Sequence, residues 1–332
     1  MGIGGLMLSR TADCLYWMAR YTERAENTAR MLDVVYQTSL MPHPVEFMQL
    51  NLKKLLNVSL LEDVFEKKYK TYSRENLMDF MIFDETNPSS IVSCLDASRV
   101  NARIIRGKIP SEVWETQNTT WLTYRDFLPK NPSDDPSPFF DWVKYRCHLS
   151  RGVVFGTMLT NESFHFMEFG TYLERADNTA RILKAKFISP QDGFKKSPNQ
   201  SSLLTMEGMS DTFDFYHWVS LLRSVSAFEI FRQTYSDQIT PERVVDLLVF
   251  NHQLPRSLTR CIDQLLNLIH LLKNSKSKEI ERLIGKLKSE LDYANIEDIQ
   301  SEGLDQFIQR FLERINHIAN EFSSNYLIPL TV

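Results

Sequence analysis

The sequence predicts an all-α protein, an internally duplicated helical bundle with two pseudo-equivalent helical halves packed together. Three observations predict it. Glycine (11) and proline (13) are scarce in 332 residues, while hydrophobic residues make up 43% and charged ones 24%, the composition of a globular chain with few tight turns. Apolar residues recur at helical spacing in Leu52, Leu55, Leu56 and Leu60 and again in Leu283, Leu287 and Leu291, one face of a 3.6-residue period. Finally, "YTERAENTAR" (21–30) returns as "YLERADNTAR" (172–181), and "SRENLMDFMIFDETNPSSIVSCLD" (73–96) returns in the same order as "TPERVVDLLVFNHQLPRSLTRCID" (240–263).

The first element is a helix through 21–30. At about 100° per residue, Tyr16, Arg20, Glu23, Asn27 and Arg30 fall on one polar stripe, with Tyr21, Ala25, Thr28 and Leu32 opposite as a core side. Arg24 lies on the shoulder. The next segment, 52–69, answers 218–235 in apolar spacing. Ser73-Arg74-Glu75 then supplies a helix cap, and Pro88 is expected to open the following helix. The block 98–118 lacks a good counterpart in the second half. Arg99, Arg103 and Arg106 are expected on one helical face, with Asn101 among them, and Ser111 is expected to cap a helix carrying Trp114, Glu115 and Asn118. Three arginines together suit carboxylate or phosphate groups, although a solvated surface helix explains them as well.

The proline-rich stretch 128–138 is the most loop-like in the chain. It divides a first repeat (1–130) from a connection (131–138) and a second repeat (139–332), which begins with an additional leading helix over 139–159. The second copy sets Glu174, Asn178 and Arg181 on its stripe, with Arg175 on the shoulder and Tyr172, Ala176, Thr179 and Leu183 behind. The stretch 188–202 is the candidate for the extra residues that move the repeat offset from 151 to 167. Thr240 with Pro241 repeats the capped start, Pro255 repeats Pro88, and "KNSKSKEIERLIGKLKSELD" is a plain amphipathic helix with a solvated face.

A repeat that retains Glu, Asn and Arg admits three readings. The stripes are exposed, with ordinary pairs from Glu26 to Arg30 and Asp177 to Arg181; or they form a buried polar network joining two bundles; or they line a ligand or partner site.

Other chemistry is weakly signalled. Glu162-x-x-His165 has the form used in di-iron bundles, but Thr11 and Cys14 stand in its place in the first half, so the four-fold ligand set is incomplete. Asp214-x-x-His217 is no stronger. No metal and no cofactor is expected, and no nucleotide loop or catalytic motif is present. The four cysteines, Cys14, Cys94, Cys147 and Cys261, are far apart and expected to be reduced. A net charge of −4 and a pI near 6.0 disfavour nucleic acid or a membrane surface as partner. With no secretory pattern at Met1-Gly2-Ile3-Gly4-Gly5-Leu6 and no run of 18 apolar residues, a cytoplasmic protein is expected.

The segments "YWMARYTERAENTARMLD", "VNARIIRGKIPSEVWETQN" and "FHFMEFGTYLERADNTARIL", in this order, resemble the bacterial alpha-E family, helical proteins named for a Glu-Arg motif. The resemblance is essentially full-length. It maps the family's Glu-Arg pairs to Glu23-Arg24 and Glu174-Arg175, and its Asn-Ala-Arg motif to Asn101-Ala102-Arg103. It implies an all-helical protein associated with a circularly permuted ATP-grasp ligase and a transglutaminase-like protease, enzymes that make or cut amide bonds. The expected role is an accessory or binding protein of a peptide-forming or peptide-modifying system, positioning a peptide or carboxylate-bearing substrate. The alternatives are an enzyme using Glu23 or Glu174 as acid or base, and a purely structural scaffold. The divergence around 40–70 and 190–215 bears on partner specificity.

Overall fold

The computed structural model describes residues 9–40, 49, 52–53, 55–56, 59–129, 134–187, 218–236, 238–274 and 277–327. Among the described residues every regular element is a helix. In chain order these are α1 (Ser9–Ser39), α2 (Glu62–Lys68), α3 (Arg74–Ile82), α4 (Ile91–Ile104) and α5 (Ser111–Thr123), the last followed by a 3-10 turn (Tyr124–Phe127). Then come α6 (Ser137–Thr157), α7 (Glu162–Phe187), α8 (Phe228–Tyr235), α9 (Pro241–Phe250), α10 (Leu258–Leu271), α11 (Lys278–Tyr293), α12 (Ile296–Glu302) and α13 (Leu304–Tyr326). Residues 218–224 are also helical. The stretches 188–202 and 190–215, and Asp214 with His217, lie outside the described residues.

Helix starts follow the sequence closely. The Ser73 hydroxyl accepts from the Asn76 amide at 3.2 Å and Thr240 from Arg243 at 3.4 Å, each satisfying an amide that the first turn leaves unpaired. Ser90 and Ser257 do the same for Ser93 and Arg260, both at 3.1 Å. Further contacts recur at an offset of 166 or 167. The Cys94 and Cys261 thiols point at the Pro88 and Pro255 carbonyls (3.6 and 3.9 Å), and the Tyr69 and Tyr235 hydroxyls donate to Asp79 and Asp246.

Three local expectations need correction. Pro88 and Pro255 do not open the next helices; α4 and α10 begin after the Ser90 and Ser257 caps, two residues further on. Ser111 is the first residue of α5 rather than its cap; Pro110 holds that position and makes no side-chain cap bond. Arg106 lies beyond the end of α4, which stops at Ile104, so it shares no helical face with Arg99 and Arg103.

Two apolar cores flank α1. Ala25, Ala29 and Leu32 pack with Phe65, Phe80, Ile91 and Leu95. The earlier turns, Ala12, Leu15 and Met18, pack instead with Phe169, Leu173, Leu265 and the α13 side chains. Phe139, Phe140 and Val143, at the start of α6, enter the first core. Helix α1 thus contacts α4, α6 and α7, while α7 contacts α1, α10 and α13. The stripe opposite its core side is therefore also covered: Tyr16, Glu23 and Asn27 are buried along with Ala25 and Leu32, which removes the exposed-stripe reading.

Helices α1 and α7 approach each other closely at Gly170. A Cβ there would sit 2.6 Å from the Tyr16 carbonyl oxygen, so only glycine fits. Helix α6, away from its contact with α1, presents an apolar face to solvent. Tyr145 is 79% and Phe155 73% exposed, and Leu149 and, just past the helix end, Leu159 are exposed as well. Gly152 and Gly156 lie on the same face, with open space where a Cβ would be. No helix among the described residues is long and apolar enough to cross a membrane.

Candidate functional site

Because Glu23 and Arg24 are neighbours on α1, and Glu174 and Arg175 on α7, helices that meet along this face can exchange partners. They do so reciprocally. Arg24 donates to Glu174 through Nε at 2.6 Å and Nη2 at 3.0 Å, and Arg175 donates through Nε to Glu23 at 3.1 Å. Arg20, one turn earlier on α1, adds an Nε bond to Glu174 at 2.8 Å. The two stripes therefore meet face to face along α1 and α7.

Two arginines that repeat comparison alone does not single out complete the cluster. Arg151 of α6 reaches Glu23 at 3.0 Å and also pairs with Glu26. Arg256, just before the α10 cap, lies 2.7 Å from Glu23 and 2.8 Å from Glu26, and donates to the side-chain Oδ1 of Asn27 at 2.6 Å. Glu26 further accepts from Arg30 Nε at 2.8 Å. On α7 the corresponding pair is Arg181 to Asp177, 2.7 Å. The side-chain amide nitrogens of Asn27 and Asn178, at matching letters of the two ten-residue stretches, are both buried without a hydrogen-bond partner among the described residues.

The electrostatics follow from the geometry. Burial alone would raise the Glu23 pKa, but Arg175, Arg256 and Arg151 outweigh it and hold the carboxyl well below its usual range. Burial opposes ionisation of Glu174 too, yet Arg24 and Arg20 bring its pKa down from 4.5 to about 2. Glu26 is lowered against burial chiefly by Arg256. These carboxylates stay ionised at neutral pH with their lone pairs occupied, the opposite of what a general acid or base requires.

The one acid of the neighbourhood in a different state is Glu168 of α7. Among the described residues it makes no hydrogen bond or ion pair, and burial pushes its pKa up. It lines a cavity of about 20 Å³ with Ala19, Thr22, Glu23, Ser150, Arg151 and Thr171, room for one water. Beside it a neutral relay ties four helices together. Gln117 of α5 donates to Ser150 of α6 at 2.7 Å, Ser98 of α4 donates to Gln117 at 3.1 Å, and Thr22 of α1 lies 2.9 Å from Ser98.

The 98–118 block does not join the lattice. Arg99 Nε donates to Asn118 at 2.9 Å, Asn101 donates back to the Ala97 carbonyl at 2.8 Å, and Arg103, Arg106 and Glu115 are exposed. Trp114 packs half-buried on the second core. Metal-ligand chemistry finds little support. Glu162 is exposed while His165 is buried with Nδ1 unpartnered. His252, Asp263 and Asp292 approach one another on the surface, but the Lys288 ammonium already bridges both aspartates. All four cysteines are free and buried; burial raises the Cys94 and Cys261 thiols to about 12, too high for a reactive thiolate.

No curated protein and no solved structure matches the chain. A helical fold with two Glu-Arg pairs at its centre does agree with one description: residues 7–327 match Alpha-E, a predicted alpha-helical domain with a conserved ER motif, and the chain belongs to that family.

Proposed function

We propose that this protein is a non-catalytic binding subunit that works with an ATP-grasp-type amide ligase in a peptide-forming or peptide-modifying system, and that its Glu-Arg pairs are the lock that holds the binding surface in shape. The partner class comes from the family resemblance, with a transglutaminase-like protease as a further partner. The observation that carries a binding rather than a catalytic role is the saturation of Glu23 and Glu174 by arginines from three helices, α1, α6 and α7, and a loop. The exposed face of α6 supports a docking role. Tyr145, Leu149, Phe155 and Leu159 together present on the order of 500 Å² of apolar surface, a size that marks interaction sites, and with a matching partner patch it approaches a small specific interface. The same reading includes an internal duplication as the origin of the fold, supported by the caps, thiol contacts and tyrosine–aspartate bonds that recur at offsets of 166 and 167.

Co-expression tests the reading. The wild type is expected to co-purify with an ATP-grasp ligase, and Tyr145→Asp, at a position 79% exposed on this face, to lose the complex while retaining its melting temperature. A ligase that purifies and acts identically with and without this chain contradicts the proposal.

A second reading rests on Glu168. If the protein performs acid–base chemistry, the group in a suitable state is this unpaired carboxyl of raised pKa beside Arg151, not Glu23 or Glu174. Under that reading Glu168→Gln abolishes turnover of a reconstituted system without loss of stability; full activity of this variant removes it.

A further inference from the structure

The lattice carries more positive than negative charge. Six guanidiniums, Arg20, Arg24, Arg30, Arg151, Arg175 and Arg256, share three carboxylates, Glu23, Glu26 and Glu174, in the ion pairs among the described residues. All six are mostly buried, with side chains 8–24% exposed. Glu168 stands beside Arg151 as a fourth, unpaired carboxyl, so the excess is two charges with Glu168 ionised and three with it protonated, and either is costly in such a setting unless a counter-anion approaches.

The place where one can approach is marked by His148 of α6. Its ring is exposed and lies between two guanidiniums, with Arg30 Nη2 3.1 Å from Nε2 and Arg151 Nη2 2.9 Å from Nδ1. A neutral imidazole has one acceptor nitrogen and one donor, so it can accept from only one arginine; the other contact sets N–H against N–H. Partial desolvation of the ring edge against the lattice and the flanking arginines also disfavour the imidazolium. Arg30 and Arg151 are at the same time anchored from behind by Glu26, which fixes the spacing of their outward N–H groups.

We propose that Arg30, His148 and Arg151 form a binding site for a multiply charged oxyanion of the phosphate class. Its oxygens accept from both guanidiniums and from the imidazole N–H, replacing the mismatched contact and compensating the excess charge. This goes beyond the ligase partnership and does not depend on it, since the site lies within this chain alone.

Calorimetric titration of the purified full chain with inorganic phosphate, at constant ionic strength set by chloride, tests the site. Saturable binding is expected, tighter for phosphate than for acetate. His148→Glu is the informative variant, because it places a carboxylate of the protein's own between the two arginines. It is expected to weaken phosphate binding by about tenfold or more and to raise the melting temperature, whereas His148→Ala weakens binding only several-fold. Absence of phosphate binding, or binding by His148→Glu equal to that of wild type, overturns the proposal. Acetate binding as tightly as phosphate overturns the assignment to a multiply charged ligand.

Discussion

At the scale of single residues, the chain's charged motif does structural work through an exchange of partners. A carboxylate removed from water is stabilising only when its neighbours replace the lost hydration, and Glu174 has three guanidinium bonds that do so. Its folded-state pKa lies below its ordinary value, at about 2 instead of 4.5. The contribution to stability is therefore complete above pH 4.5 and is lost as pH falls toward 2, about 3 kcal/mol in all. Acid titration of the unfolding free energy should show a decline across that window in the wild type and a shallower one in Glu174→Gln. The sequence made Glu23, Arg24, Glu174 and Arg175 legible because both copies retain them. It hid Arg151 and Arg256 for a physical reason. Arg151 comes from the leading helix, which has no first-half equivalent, and Arg256 stands where the first half has Ser89. The two positions share only a backbone role, accepting from Thr28 and Thr179 through their carbonyls.

At the scale of elements, caps and close contacts decide where helices begin and how near they come. Ser90→Ala and Ser257→Ala should each lower unfolding free energy by about 1 kcal/mol in urea denaturation, since each removes the acceptor for one first-turn amide. Gly170→Ala should cost about 1–3 kcal/mol despite the better helix propensity of alanine, because the added Cβ meets the Tyr16 backbone oxygen at 2.6 Å; a variant as stable as wild type would mean that α1 and α7 separate without penalty. The helical period, the Ser73 and Thr240 caps and the leading helix were readable locally. The absence of a Ser111 cap and the displacement of Arg106 were not. Both depend on how the turn at 105–110 leaves α4, where Lys108 closes back on the Ile105 carbonyl at 2.7 Å, and that path is set by tertiary packing of Ile105 and Ile109 in the second core.

At the scale of the whole molecule, one helix organises the fold. Helix α1 supplies apolar side chains to both cores and charged ones to the lattice between them, so the lattice joins the two cores rather than decorating either. The all-helical class was plain from composition and period. Burial of the stripe was not, because a polar face reads the same in the sequence whether water or the charged groups of neighbouring helices satisfy it. Urea unfolding of Glu174→Gln beside wild type near neutral pH addresses the lock most directly. Retaining the shape of the side chain but not its charge leaves Arg20 and Arg24 without a counter-ion, and the unfolding free energy should fall by about 3–5 kcal/mol. Unchanged stability in that variant, with activity of the partnered system lost, would contradict the lock and make Glu174 a functional group.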